Sequence, residues 1–283
     1  MKIYIIIPAY NEAGFIGETL LSLINQTLKP NRIVVVDDGS TDNTPNIVAE
    51  FASKYSEVSL IKKDPESEKH LPGSKVINAF NEGLKSLDED YELICKFDAD
   101  LIFPKNYLEV ITKHFQEDPK IGLAGGFCVI EKQGEWVLEN LTGKDHIRGA
   151  LKTYRKACFK DFDGLKPAMG WDTLDELLAQ YYGWKLKTDK NLLVKHLKAT
   201  GKNYSKSSKY KQGEAFYRLR YGLIISLLAS AKLALKKGKL SFFSNYMQGF
   251  FKAKKEKRPF LVSEKEGRFI RKLRWEKMRS KLF

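Results

Sequence analysis

Residues 94–104 read Ile94-Cys95-Lys96-Phe97-Asp98-Ala99-Asp100-Leu101-Ile102-Phe103-Pro104, an apolar run that ends in two carboxylates one position apart and then turns apolar again. The run has the length of a buried strand, and the acids at its end put a polar cluster where such a strand would leave the core. Working outward, Ile- and Val-rich runs at 2–9, 32–38, 58–63, 92–100 and 121–130 read as strands. Between them, 14–27, 43–55, 73–87 and 105–118 carry apolar residues at helical spacing. Thr44 before Pro45 offers an N-cap followed by proline in the first turn. This alternation predicts an α/β domain: a mostly parallel sheet flanked by helices.

Ligands of such sheets collect beyond the carboxyl ends of the strands. The polar clusters "PAYNE" (8–12), "DDGSTDNT" (37–44) and "DAD" (98–100) all fall there, so three loops are expected on one edge. Residues 131–165, with Gly134, Gly143, Gly149 and Gly164, are expected to be irregular. The stretch 169–189 reads as a turn, a helix from Thr173 to Tyr182 and a short strand after Gly183-Trp184.

With 283 residues, 43% of them hydrophobic, the chain can bury a sizeable core, which excludes a disordered protein. Cys95, Cys128 and Cys158 are odd in number and widely spaced. They suggest neither a disulfide framework nor a zinc ribbon, and a reducing, cytoplasmic compartment is the expectation. The apolar run in "MKIYIIIPAY" is short and stops at Pro8, so it reads as a first strand and not a signal peptide. Charge is uneven: residues 201–283 carry 23 Lys and Arg against 5 Asp and Glu, a balance of +18, whereas residues 1–200 carry 26 and 30, a balance of −4. A mildly acidic body at 1–200 and a strongly basic, helical extension at 201–283 are therefore expected.

Asp98 and Asp100, two apart in extended backbone, would point the same way. Carboxylates that close repel unless protonated or shared by a cation, and hard oxygen ligands suit Mg²⁺ or Mn²⁺. In "VVVDDGSTDNT" Asp37 and Asp38 close a strand and Gly39-Ser40 turn the chain into the next helix. These residues suit an Asx turn and helix capping, and equally a carboxylate that accepts a hydrogen bond from a nucleobase. Tyr10 can pack in the core or stack on a base.

"IIIPAYNEAGFIGETLLSLINQT", "VVVDDGSTDNT", "AFNEG" (79–83) and "FDAD" (97–100), in this order, resemble the family 2 glycosyltransferases of GT-A fold. The resemblance covers 3–130 strongly and 160–200 moderately. It implies that Tyr10 and Asp38 hold the base of a nucleotide-sugar such as a UDP-, GDP- or dTDP-sugar. Pro8, Asn11, Glu12, Asp37 and Ala99 would line the same pocket. Asn81 and Gly83 match a segment beside the donor, and Gly73 and Lys75 sit in a loop that approaches the nucleotide. Asp98 and Asp100 would be the D-x-D pair that carries Mn²⁺ or Mg²⁺, with Asp100 the closer ligand.

Members of the family also carry an acidic pair about eleven residues before a Gly-aromatic, and an inverting transfer needs a carboxylate to take the acceptor's proton. Here Gly183-Trp184 is that anchor and Asp172 stands at the acidic position, with Trp171 in place of the preceding Glu. Asp175 and Glu176 could share a helix face with Asp172 and remain alternatives as catalytic base, as does a plain helix-terminus role. His196 matches a late-strand histidine that adds a metal contact in some members, and a structural role is its alternative.

The apolar stretch 221–231 is too short for a spanning helix, which needs roughly 20 residues. Phe242, Phe243, Phe250, Phe251 and Trp275 among cations suit an anionic membrane surface, and the alternative is a helix packed on the domain with a solvated basic face. No reader motif accompanies the charge, so nucleic acid is not an expected partner. The resemblance implies transfer of a hexosyl group to a glycan or lipid-linked acceptor in bacterial cell-envelope polysaccharide or lipopolysaccharide synthesis. The place of such an enzyme is the inner face of the plasma membrane. Competing readings are a sugar-nucleotide nucleotidyltransferase, against which the lack of a Gly- and Arg-rich first loop counts, and an inactive binding module.

Overall fold

A computed structural model describes residues 1–63, 74–139, 143, 145–198 and 209–280. The expected boundary at 200/201 and Gly73 lie outside the described residues.

The first half alternates as its periodicity requires. Strand β1 (Ile3–Ala9) leads to α1 (Ile16–Ile24), β2 (Arg32–Asp37), α2 (Thr44–Lys54), β3 (Val58–Lys62), α3 (Ser74–Lys85) and β4 (Leu93–Phe97). These strands lie side by side as β3-β2-β1-β4, all parallel, with Ile6 beside Val34 on one flank and Lys96 on the other. Ile3, Ile5, Ile6 and Ile7 of β1 are fully buried, each worth about 1.5–3 kcal/mol of transfer free energy. Helix α3 presses so closely on this layer that a Cβ at Gly83 would lie 2.7 Å from Ile6 Cγ2 and 2.9 Å from Val36 Cγ2.

Beyond β4 come β5 (Leu101–Ile102), α4 (Tyr107–Glu117), β6 (Ile121–Lys132), β7 (Glu135–Leu138), β8 (Leu151–Arg155), α5 (Lys156–Asp161), α6 (Trp171–Tyr181) and β9 (Lys185–His196). The sheet continues as β4-β8-β6-β9-β5, with β7 hydrogen-bonded to β6. Strand β6 runs parallel to β9, whereas β8 is antiparallel to both of its neighbours. Three expectations change here. Residues 131–165 are not irregular throughout, because β7, β8 and α5 form within them. The strand expected to reach residue 100 stops at Phe97, so Asp98 and Asp100 sit in a turn between β4 and β5, not in extended backbone. Thr44 does not cap α2: Asn43 takes that position, and the Thr44 hydroxyl accepts the backbone N–H of Glu12 instead.

Four further helices follow: α7 (Lys211–Arg218), α8 (Gly222–Lys236), α9 (Ser241–Lys255) and α10 (Glu264–Arg279). Helices α7 and α8 do not run on as one, because Arg220 (φ 53°) and Gly222 (φ 74°) are left-handed and Tyr221 N–H turns back to the Phe216 carbonyl at 3.1 Å. Helix α10 opens with a capping box in which Ser263 and Glu266 exchange hydrogen bonds. Tyr181 of α6 meets Phe269 of α10 edge to face, so the C-terminal helices pack on the α/β body. Among the described residues no helix is long and apolar enough to cross a membrane.

Candidate active site

The loops after β1 and β2 are tied to each other. Asp38 N–H donates to the Ala9 carbonyl, Asn11 N–H to Ser40 Oγ at 2.9 Å, and Thr41 N–H to Asn11 Oδ1 at 2.8 Å. Asn11 is left-handed (φ 54°), a conformation that Asn tolerates better than most residues, and this turn leaves the Tyr10 ring 49% exposed at the strand's carboxyl end. Tyr10 is thus available for stacking and does not belong to the core. Asp37 is buried and its Oδ1 has no hydrogen-bond partner among the described residues, while Lys63 lies 3.6 Å from Asp38 Oδ1. Lys75 and Asn81 are half-buried on α3. Glu12 pairs with Lys198 at 2.7 Å; burial raises its pKa, Lys198 opposes that, and the charges of Asp100 and Asp98 add to it, so loop 8–12 and the D-A-D turn share one edge.

The turn itself is held by Thr19. Its buried hydroxyl donates to the Ala99 carbonyl at 2.8 Å and accepts Leu101 N–H at 3.0 Å, while Asp98 N–H donates to the Ala150 carbonyl. The two acids are then differentiated. Buried Lys96 binds Asp98 Oδ1, leaving Oδ2 without a partner among the described residues. Asp100 faces His196, whose Nε2 lies 3.4 Å from Oδ2. Strand β9 places that histidine directly opposite Leu101 in the antiparallel pair with β5. Glu139 Oε2 stands 3.0 Å from His196 Nδ1 and also accepts from Arg148.

Burial works against a charge on His196, but Asp100 on its Nε2 side and Glu139 on its Nδ1 side outweigh it and raise its pKa to about 9. A divalent cation beside Asp100 would displace the Nε2 proton, with Glu139 still orienting the ring through Nδ1 as carboxylates orient metal-binding histidines. Asp100 Oδ2 with His196 Nε2 therefore fits a hard or borderline divalent cation. Cys128, Glu139 and His196 also lie close enough together to be considered as a ligand set. That set is the poorer one, because burial pushes the Cys128 thiol up to about 12 and Glu139 is committed to Arg148.

Asp172, Asp175 and Glu176 stand on the first two turns of α6. The helix starts at Trp171, earlier than expected, because Gly170 adopts φ 78° and turns the chain sharply before it. Lys152 of β8, fully buried, donates to both carboxylate oxygens of Asp175 at 2.7 and 2.9 Å and to the Asp172 backbone carbonyl. Tyr154 adds a 2.6 Å hydrogen bond to Asp175 Oδ2. Glu176 accepts from Ile147 N–H at 2.8 Å and pairs with His146 at 2.9 Å. Asp175 is 3% exposed and Glu176 is buried, so both are consumed in holding β8, the 145–150 loop and α6 together. Burial raises Asp175 to about 6, and Lys152 limits that rise.

Asp172 alone keeps its carboxylate at the surface, with 37% of the side chain exposed and His146 Nε2 3.6 Å away. Burial works against its charge, but His146 and Lys152 outweigh it and hold Asp172 below the ordinary carboxylate range. Trp171, where the family pattern has Glu, lays its ring against two buried ammonium groups, Lys96 at 5.3 Å and Lys152 at 5.7 Å from the centroid. Those lysines are directly opposed across β4 and β8. Asp98 and Asp172 are thereby joined through Lys96, Trp171 and Lys152. Gly149 makes room for this, since a Cβ there would lie 2.8 Å from Trp171 Cζ2 and 3.1 Å from Asp172 Cβ.

Sequence reading did not anticipate Thr19, Lys96, Glu139, His146 or Lys152. His146 is charged in the folded state: burial opposes the charge, yet Asp172 and Glu176 raise its pKa to about 9. A histidine raised from about 6.5 stabilises the fold fully below pH 6.5 and loses that contribution as pH climbs through about 9. Compared with His146→Gln, the parent should be more stable by up to about 3 kcal/mol at pH 6, with the gap closing by pH 9.5. Denaturant unfolding at both pH values reads this, and a gap independent of pH contradicts it.

A family profile described as "Glycosyl transferase family 2" matches residues 4–162, more than half of the chain. A probable glycosyltransferase of Bacillus subtilis, YdaM, is 33% identical over 132 residues, 46% of this chain and 30% of the relative. A poly-beta-1,6-N-acetyl-D-glucosamine synthase of Staphylococcus epidermidis is 28% identical over 121 residues, 43% of this chain and 27% of the relative. The chain thus spans under a third of either protein. Two solved structures superpose with TM-score 0.59. One is a mannosyltransferase from Pyrobaculum calidifontis in complex with GDP-Man and Mn²⁺, 17% identical, covering 95% of this chain and 78% of that one. The other is residues 1–349 of S. aureus TarS in complex with UDP-GlcNAc, 21% identical, covering 89% and 73%. At these identities the likeness establishes the shared fold, the GT-A arrangement expected from the sequence. A profile match that runs from Tyr4 through the D-A-D turn to the end of α5 takes in the loops after β1 and β2 as well, and the chain therefore belongs to glycosyl transferase family 2.

Proposed function

We propose that the chain transfers a sugar from a nucleoside diphosphate sugar to an acceptor hydroxyl with inversion at the anomeric carbon. One observation carries this reading: of the three acids on the first two turns of α6, only Asp172 is accessible, and it is held ionised. Asp172 takes the acceptor's proton while the acceptor oxygen bonds to the anomeric carbon; the bond from that carbon to the diphosphate breaks, and its electron pair leaves with the nucleoside diphosphate. His146 and the Lys152 contact to its carbonyl orient Asp172.

On the donor side Tyr10 stacks on the base and Asp38 accepts from it, with Pro8, Asn11, Glu12, Asp37, Lys75, Asn81 and Ala99 forming the surrounding wall. Asp100 and His196 would hold Mn²⁺ or Mg²⁺, with Asp98 two residues away in the same turn. A divalent cation there supplies neutralisation of the leaving diphosphate as a Lewis acid. The complexes of structurally similar proteins with GDP-Man and Mn²⁺ and with UDP-GlcNAc support a donor of this class. The polysaccharide synthase among the relatives supports a glycan or lipid-linked acceptor in the cell envelope. Exposed Leu223, Ile224, Leu235, Leu240 and Phe251 on a basic extension support attachment to an anionic membrane surface, on its cytoplasmic side.

Calorimetric titration of UDP, GDP and dTDP with and without Mn²⁺ tests the reading. At least one nucleotide should bind at least tenfold tighter with the metal, and no binding of any of the three would sink the transferase assignment.

A further inference from the structure

Behind Asp172 lies a cavity of about 550 Å³, closed on its far side by α7, Tyr221, α8 and α10. Its wall on the α/β body contains Asp172 and His146. The helical wall is mostly hydrocarbon, with Phe216, Ile225, Leu228, Leu233 and Met278. Three cations stand in the same wall: Lys232, Arg274 and Lys277. Among the described residues none of the three pairs with a carboxylate. Arg274 donates through Nη2 to Tyr221 Oη at 2.6 Å, while its Nε is buried without a hydrogen-bond partner. A buried guanidinium nitrogen left unsatisfied is unfavourable, and an anionic ligand would satisfy it. Leu228 is 45% exposed and continues onto the bare apolar face of α8 that includes Leu223, Ile224 and Leu235, so the cavity opens toward an apolar surface.

We infer that this cavity is the acceptor site and that the acceptor is a phosphate-bearing amphiphile whose reacting hydroxyl lies a short head away from its hydrocarbon chain. The inference rests on the proposed role of Asp172 as the base. Charge complementarity selects the anion, because among the described residues three cations without a carboxylate partner and a protonated His146 surround the apolar wall while Asp172 is the one acid in it. Size selects the short head, because a cavity in the range that takes a drug-sized molecule holds a small headgroup and part of a chain, without room for an oligosaccharide between hydroxyl and hydrocarbon. The chain enters along α8 past Leu228, the phosphate meets Arg274, Lys232 and Lys277, and the hydroxyl reaches Asp172. Its oxygen then bonds to the donor's anomeric carbon, its proton passes to Asp172, and the nucleoside diphosphate departs with the electron pair of the broken bond. The basic helices are in this view the acceptor half of the active site.

The test uses the full chain and calorimetry with octyl phosphate, octanol and inorganic phosphate, together with the nucleotide and Mn²⁺ titration above. Octyl phosphate should bind at least tenfold tighter than either octanol or phosphate, since only it carries both recognised parts. Arg274→Gln and Leu228→Asp should each weaken octyl phosphate at least fivefold while the nucleotide affinity of both variants stays at the parent value, which shows that they are folded. Octyl phosphate binding no tighter than inorganic phosphate, or undiminished in both variants, overturns the inference. A chain that binds nucleotide with Mn²⁺ but not octyl phosphate refutes the acceptor class alone. One that binds octyl phosphate but no nucleotide refutes the transferase reading and the acceptor role with it.

Discussion

Asp172→Asn is expected to lower the transfer rate by about 10²–10⁴-fold, the usual contribution of a positioned general base. Stability should fall by no more than the part of the His146 pairing that Asp172 supplies, about 1–2 kcal/mol, because the carboxylate is partly solvated and His146, at 3.6 Å, keeps its contact with Glu176. The backbone carbonyl of residue 172 still receives Lys152, so α6 keeps its place. Asp175→Asn is the informative contrast. It removes the charge that Lys152 meets at 2.7 and 2.9 Å in a fully buried setting, and breaking such a pair typically costs about 3–5 kcal/mol. A loss of activity in that variant should therefore come with a loss of fold, whereas Asp172→Asn should separate the two in a melting curve set beside a turnover assay.

Asp100→Ala should abolish the Mn²⁺ enhancement of nucleotide binding and lower transfer on the order of a thousandfold, as the loss of several kcal/mol of leaving-group stabilisation requires. The aspartate sits in a turn pinned by Thr19 and the Leu197 N–H donated to its own carbonyl at 2.9 Å, and both contacts survive truncation of the side chain. What disappears is the oxygen facing His196 Nε2. Metal titration of the variant by calorimetry reads this directly, and unaltered enhancement would move the cation elsewhere.

The parallel layer and its three polar loops were legible because their determinants are local: apolar runs of strand length, helical spacing between them and acids at the strand ends. Tyr10, Asp37 and Asp38 stand at the carboxyl ends of β1 and β2, whereas Asp98 and Asp100 follow β4 in a turn and not in the extended backbone that their spacing suggested. Other features depend on distant partners. Strand β8, "LKTYR", carries two cations in five residues and reads as polar surface; it enters the middle of the sheet because Asp175 and Glu176, more than twenty residues downstream, neutralise Lys152. Glu139 gains meaning only when β9 brings His196 to it, 57 positions along the chain. The break between α7 and α8 was hidden because Arg220 gives no local sign that it will adopt φ 53°; Arg271 of α10 holds its carbonyl at 2.8 Å. Trp171 stands where the family pattern has an acid. Its ring covers two buried lysines that an acid there would otherwise have to neutralise.

The central claim is a division of labour between two acidic groups, one gripping the leaving diphosphate and one taking the proton. The Mn²⁺ enhancement of nucleotide affinity, measured by calorimetry in Asp172→Asn, tests it most directly. A variant that no longer transfers sugar should keep the parent's full enhancement; an enhancement lost together with transfer would place Asp172 in the cation site and contradict the division.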